Sequence, residues 1–467
     1  MTYASILIKN PLPFMTESYI KNVLEGKYSS AKIKSILKNG LQSKIFLSFD
    51  NNELANSFIN DYNGKFFDDK LNYELIIEKT EKTSEEIQKE IDENKSNYEP
   101  YIFDIEYEKE WKNDYVNSPE KTGLLYINEE EKNKIYKTFK FLITKFGQNL
   151  FEGKSIINVS FPIFLYGKRT YAQVFAYEHR LAPFFLSRAA FCKDKLEKFK
   201  WVIVHLFSIF HISTIQTQPF KPIVGETFQC KIGDMLLYIE NTTSDSLTNN
   251  FYGYDENKNY KIYGYQISDI STKPNSVIAS KVGKYYIEFK DGSKYLLRFP
   301  NMTLKGISLG DRTFNYTEKV VIYDLKNNLC AYVEMNPDEV GFFKSFFTKK
   351  KTFPDFFKGD IVDSSFVTID EKGCNHILKR GFKSICKIDG EWTSCCRFDD
   401  KEYWDIEDYQ LIPMFHFGYL CPSDSSLRLD LINFIKDKQE KSQIEKEKIE
   451  ADAERDKNLR NKNTSKI

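Results

Sequence analysis

The run Gln218-Pro-Phe-Lys-Pro-Ile-Val-Gly-Glu-Thr-Phe228, with Glu240-Asn-Thr-Thr-Ser-Asp-Ser-Leu-Thr-Asn-Asn-Phe-Tyr-Gly253 twelve residues on, decides how this chain folds. The first run reads as a rigid turn feeding a strand. Gly225 permits the backbone turn, and Phe220 and Phe228 are placed to pack inward. From Phe251 to about Asp363, short β-type runs then alternate with turn residues. Examples are 261–267, 284–289, 294–299 and 320–323, with Asp291-Gly292 and Asn327-Asn328 in loops between them. Such spacing predicts a large antiparallel sheet or barrel.

The 467 residues suffice for two or three domains, each with a core. Lys plus Arg and Asp plus Glu balance at 67 each, so bulk charge predicts attraction neither to nucleic acid nor to a membrane. Aromatic residues make up 15%, which favours well-filled, strand-rich cores. No secretory signal pattern opens the chain. The most apolar run, Trp201-Val-Ile-Val-His-Leu-Phe-Ser-Ile-Phe210, is too short to span a bilayer. A cytoplasmic protein with at most peripheral membrane contact is the expectation.

The 8 cysteines include no C-x-x-C pair and read as reduced thiols. Cys374, His376, Cys386 and Cys395-Cys396 cluster in sequence, but their spacing matches no common zinc finger, so no metal or cofactor is expected. His179, His205 and His211 lie in apolar helical context and read as core histidines.

Residues 1–79 predict a β-α-β-β-α-β unit, with strands at 5–8, 33–37, 43–49 and 71–77 and helices at 16–25 and 53–62. Its segment Phe46-Leu-Ser-Phe-Asp-Asn-Asn-Glu-Leu-Ala-Asn-Ser-Phe-Ile-Asn-Asp-Tyr-Asn-Gly64 resembles an RNA-recognition-motif domain. Such domains stack bases on sheet aromatics. Of the three ring positions the resemblance implies, Leu7 and Lys44 replace two and only Phe46 is aromatic. Protein contacts, not RNA, are therefore the expected use of this face.

Residues 80–125, dense in charge with Tyr98, Tyr101, Phe103 and Trp111, read as a linker or solvated helix, with a boundary at Ser118-Pro119. Apolar positions at helical spacing follow in 134–146. From there, Phe161-Pro-Ile-Phe164, the two opening motifs, Gly390-Glu391-Trp392 and Pro422-Ser-Asp-Ser-Ser-Leu-Arg-Leu-Asp430 succeed one another in order. Helices are expected at 171–189, 196–210 and 436–460. This series resembles the oxysterol-binding-protein-related lipid-transfer family, with its domain over 126–467. The whole is an α+β chain: a ferredoxin-like domain followed by a large antiparallel barrel with flanking helices.

The resemblance implies a sterol or other lipid in the barrel, transient membrane contact, and no covalent chemistry. It also implies a phosphoinositide clasp at the mouth, which is degenerate here. Gln218 and Lys221 stand at the family's lysine and asparagine, and Ser244 and Asp245 replace its histidine pair. Lys446 and Glu450 keep their places on the last helix, whereas Glu454 replaces an arginine and Arg455 lies one residue on. Lys446, Glu450 and Glu454 equally suit a solvated face. The run Gly341-Phe-Phe-Lys-Ser-Phe-Phe347 with Thr348-Lys-Lys-Lys351 offers a peripheral membrane contact. The alternative to lipid transfer is a scaffold or assembly subunit that kept the barrel and lost exchange.

Overall fold

The structure, a computed structural model, describes residues 4–464 except 39–40, 94–97, 101–114, 119–122, 127–128, 148–158, 214–217, 244–245, 338–354 and 370–375. Ser244, Asp245, Cys374, the side chains of Tyr98, Tyr101, Phe103 and Trp111, and the aromatic-basic run 341–351 lie outside the described residues.

The N-terminal unit consists of β1 (Ala4–Ile8), α1 (Glu17–Leu24), β2 (Lys32–Lys38), β3 (Leu41–Phe49), α2 (Asn52–Tyr62) and β4 (Ile77–Thr80). The sheet is antiparallel in the order β2-β3-β1-β4. Thr16 and Asn51 cap the two helices by accepting from Tyr19 and Leu54 amides, which satisfies donors the helix itself leaves unpaired. The last strand starts later than the expected 71–77. Leu71 bridges instead to Cys192, Asn72 N–H donates to the Phe191 carbonyl at 2.8 Å, and Lys193 N–H donates to Lys70 at 3.0 Å.

The start of the expected linker is not solvated. Ser84–Glu93 forms α3, whose Ile87 and Ile91 pack on Leu7, Ile36 and Phe46 of the sheet. Gln88 clamps the Leu37 backbone, accepting its N–H at 3.0 Å and donating to its carbonyl at 2.9 Å. An i, i+4 isoleucine pair in an otherwise charged helix is enough apolar surface to dock it. Ile87→Asp should cost about 1.5–3 kcal/mol of that docking. Amide exchange would then rise over 84–93 alone; unchanged protection there would refute the contact.

The large domain takes in β5 (Tyr98–Pro100), β6 (Tyr115–Ser118), β7 (Gly123–Tyr126) and α4 (Glu129–Phe146). Next come β8 (Tyr166–Thr170), α5 (Tyr171–Tyr177), α6 (Ala182–Phe191), α7 (Lys195–Ile212) and β9 (Gln218–Phe220). The expected helix over 171–189 is two helices, because Pro183 opens α6 and cannot continue α5.

The barrel wall starts with β10 (Thr227–Ile232), β11 (Met235–Asn241), β12 (Leu247–Asp255), β13 (Tyr260–Lys273) and β14 (Ser276–Phe289). It continues through β15 (Lys294–Arg298), β16 (Asn301–Lys305), β17 (Thr313–Asp324), β18 (Leu329–Met335) and β19 (Phe356–Asp363). A small hairpin of β20 (Val367–Ile369) and β21 (His376–Leu378) stands outside it. The wall resumes with β22 (Cys386–Glu391), β23 (Cys395–Phe398), β24 (Lys401–Asp405) and β25 (Met414–Phe417), and β25 pairs back to β10. That pairing sets the last strand of the wall against its first.

Strand residues alternate as the period-2 runs demand. On β13, Ile262, Gln266 and Ser268 face in and are buried, while Lys261, Tyr263 and Tyr265 face out. Gly264 sits opposite Phe251 with φ of 146°, and a Cβ there would collide with the Lys284 carbonyl. Helix α7 fills the barrel and is buried on every side from Trp201 to Ile212. Its Phe207 stacks on Phe357 with ring centroids 3.9 Å apart, and Phe210 meets Tyr316 at 4.9 Å.

One apolar cluster runs from this core into the N-terminal unit. Arg188 of α6 lies over Trp201 at 4.1 Å and over Phe14 of the small domain at 4.8 Å. The two domains therefore share a core. Two helices, the short, mostly apolar α8 (Leu429–Ile435) and the long, charged α9 (Gln439–Thr464), follow the wall. Among the described residues, no helix is long and apolar enough to cross a membrane.

Candidate functional site

Inside the barrel, a cavity of about 220 Å³ runs under α4. One end is apolar. Ile135, Phe139 and Leu142 on one face of α4 look down on Phe161, Leu304 and Ile307. The α4 spacing of four and three residues puts these side chains on a single stripe. Ile270, Val277 and Ala279 continue the apolar wall along β13 and β14.

The other end is polar. Asn249 and Gln266 are direct cross-strand partners and are 0% and 4% exposed. Among the described residues, both side-chain atoms of Asn249 and the Gln266 Nε2 have no hydrogen-bonding partner. Beside them Lys281 donates to Glu178 at 2.6 Å, an ion pair whose side chains are 10% and 6% exposed. Tyr171 shares a hydrogen bond with Ser268 next to this pair. Burying amides without partners costs about 1–3 kcal/mol each, so this end is chemically suited to receive a polar group.

Behind it stand two of the three core histidines. His179 Nδ1–H donates to the Phe175 carbonyl at 2.7 Å, so its Nε2 accepts from Tyr285 Oη at 2.9 Å. His205 Nε2 reaches the same hydroxyl at 3.3 Å. Burial pushes His179 down to about 4 and His205 well below the ordinary imidazole value, so both are neutral structural groups. His211 is buried on α7, 6.0 Å from the Trp404 ring.

The residues named for the mouth divide. Gln218 lies on β9 and lines the rim of the cavity. Lys221 is close to Lys446, Glu450, Glu454 and Lys457 of α9, and burial lowers its ammonium while Glu450 raises it. Lys446 does not lie on a solvated face. It is 2% exposed, ion-paired to Glu450 at 2.8 Å, bonded to Ser160 Oγ at 2.7 Å, and over the Tyr166 ring at 5.6 Å. Ser160 in turn donates to Glu450 at 2.8 Å. Lys446 is thus neutralised from within. Arg455 points elsewhere and pairs with Asp452 and Asp456 on its own helix turn. Glu454 is exposed. On the small domain, Leu7 and Phe46 lie under α3, and Lys44 is half-buried opposite Ile36.

Sequence reasoning missed Arg428. Its guanidinium forks onto Asp430 at 2.7 and 3.0 Å, donates to Glu226 at 2.8 Å, and donates to the Lys221 carbonyl at 2.7 Å. Glu226 of the Gly-Glu-Thr-Phe run is therefore one half of a buried stitch between the rigid turn and the C-terminal motif. The signal was slight: Arg428 stands between two leucines, and a charge that is buried demands a partner.

Comparison with known proteins gives the following. The family model described as oxysterol-binding protein matches residues 142–466. Oxysterol-binding protein 9 of Dictyostelium discoideum is 29% identical over 285 residues. That alignment covers 61% of this chain and 66% of the relative's length, just short of two thirds. The solved Osh3 ORD from Saccharomyces cerevisiae, in complex with PI(4)P, superposes with a TM-score of 0.51 at 16% identity, covering 70% of this chain and 84% of that one. The Osh1 ORD domain in complex with ergosterol gives 0.53 at 14% identity, over 72% and 90%. At such identities the likeness is one of fold.

Proposed function

The chain belongs to the oxysterol-binding protein family, and from that premise we propose that it binds one lipid, a sterol or another lipid with a polar end, and carries it between membranes. The observation that carries this reading is the two-ended cavity: an apolar floor under α4 and a polar end with unpartnered buried amides. An apolar body beneath Phe139 and Leu142 would remove surface from water at about 25 cal/mol/Å². A hydroxyl at Asn249 and Gln266 would supply the missing hydrogen bonds. Extraction, shielding and release need no bond-making step, so the residues act by binding alone.

Exchange against a phosphoinositide at the mouth is not part of this reading, because Lys446 is spent on Glu450 and Ser160. The same pairing favours the second reading, a scaffold that has lost exchange. Native mass spectrometry of the purified chain separates the two. A bound lipid mass is expected, and Ala279→Trp, which fills the cavity wall, should lower its occupancy tenfold or more, roughly 1.4 kcal/mol. A chain that takes up no lipid from sterol-containing vesicles would leave the scaffold reading standing.

A further inference from the structure

The barrel wall has an eye. Along one edge of β14, residues 285–288 pair with β15 and residues 276–279 pair with β16. Residues 280–284 between them face the corner where β15 turns into β16, without a ladder on that side. Across the corner, β17 pairs with β15 from Val321 onward and with β16 only up to Thr317. Glu318, with φ of 75°, marks the bend that holds these strands apart.

Arg298 spans the opening. Its Nη1–H donates to the Gly283 carbonyl at 3.0 Å, while its Nε is buried and unpartnered among the described residues. A cavity of about 650 Å³ lies at the eye. On the inside it reaches Gln266 and Lys281, which also line the lipid cavity. On the outside it is bordered by Lys319, Glu318 and His376. Lys319 lies over the Tyr332 ring at 5.2 Å and makes no ion pair among the described residues, although Glu318 adjoins it and Glu334 is its partner in register. Lys281 is balanced by Glu178. The remaining charge is two cations, Arg298 and Lys319, with the rim carboxylate of Glu318 in the cavity lining and that of Glu334 across the strand from Lys319.

A guanidinium with an unpartnered N–H, a nearby ammonium and an unpartnered amide donor form a set matched to tetrahedral oxyanions. We propose that this eye binds a phosphate group, with Arg298 and Lys319 as its cations and the Gln266 amide as the inner donor. The phosphate belongs either to a soluble phosphate compound entering from outside or to a lipid whose chain occupies the barrel. The second case rests on the lipid-binding reading above.

Calorimetric titration of the full chain with inorganic phosphate and with oleoyl lysophosphatidate tests it. Saturable binding of phosphate or of both is expected, with Arg298→Met and Lys319→Ala each weakening it tenfold or more. Lys319 is exposed, so its substitution leaves the fold intact even where loss of Arg298 disturbs the wall. Ala279→Trp should abolish lysophosphatidate binding and spare inorganic phosphate if the lipid chain enters the barrel. Phosphate binding without lysophosphatidate binding supports the eye as a site for soluble phosphates, even if the lipid reading fails. Absence of binding by both ligands, or binding indifferent to both cation substitutions, overturns the proposal.

Discussion

Arg428→Met is expected to destabilise the chain by about 3–5 kcal/mol, because it leaves two carboxylates buried without their cation. Asp430 and Glu226 side chains are 0% and 4% exposed, and each is held by Arg428. Charges in such surroundings cannot turn to water when the partner is removed. Glu226→Gln should cost distinctly less, since the bidentate Arg428–Asp430 pair survives it. Urea unfolding of the two variants checks both the size and the order of these losses. A loss below about 1 kcal/mol for Arg428→Met, or the reverse order, would show that the stitch contributes little. The consequence reaches the mouth as well, because Arg428 also fixes the Lys221 carbonyl beside the rim residue Gln218.

Acid should unfold the protein through its core histidines. An unfolded imidazole titrates near 6.5. Burial holds His179 at about 4 and His205 well below its usual value, and the half-buried His416 of β25 is likewise lowered to about 4. Between pH 6.5 and 4 the unfolded chain therefore binds protons that the native state refuses, and stability falls as pH falls. For fully buried His179 alone the gap amounts to roughly 3 kcal/mol by pH 4. Asp234 opposes this: burial beside Asp255 pushes its carboxyl up to about 7, so the native state holds that proton through the same window. Raised carboxylates at Glu226, Asp255 and Asp424 act in the same opposing sense, while Asp291, held at about 2, adds to the loss, and the net slope is expected to follow the histidines. Urea midpoints at pH 7, 5.5 and 4.5 should fall in that order. Combined His179→Asn and His205→Asn should flatten the series, and a wild-type midpoint independent of pH would sink the account.

The barrel was legible because strand alternation is a local property. In β13, each inward side chain is two residues from the next, and the turn at Asp291-Gly292 marks where β14 ends. The ferredoxin-like order of the first domain was legible for the same reason. Its docked helix α3 was not, since two isoleucines among charges disclose a buried stripe only when a sheet face with Leu7 and Phe46 is known to lie beneath. The burial of Lys446 was hidden for a related cause. Charged neighbours at i, i+4 spacing look solvated on any helix, and only Ser160 and Tyr166, nearly three hundred positions away, bury it.

By itself the sequence determined the family, a large antiparallel wall and the turn at Gly225, and it raised the expectation of altered charges at the mouth. The tertiary structure alone decided how the described residues among them are partnered. It paired Lys446 with Glu450, set Glu178 against Lys281 inside the cavity, left Asn249 and Gln266 side by side without partners, and split β14 between two neighbours to open the eye. The physical reason is that backbone periodicity fixes which face a side chain occupies, whereas its energy depends on what stands opposite. In a barrel, that partner is chosen by strand pairings far apart in the chain.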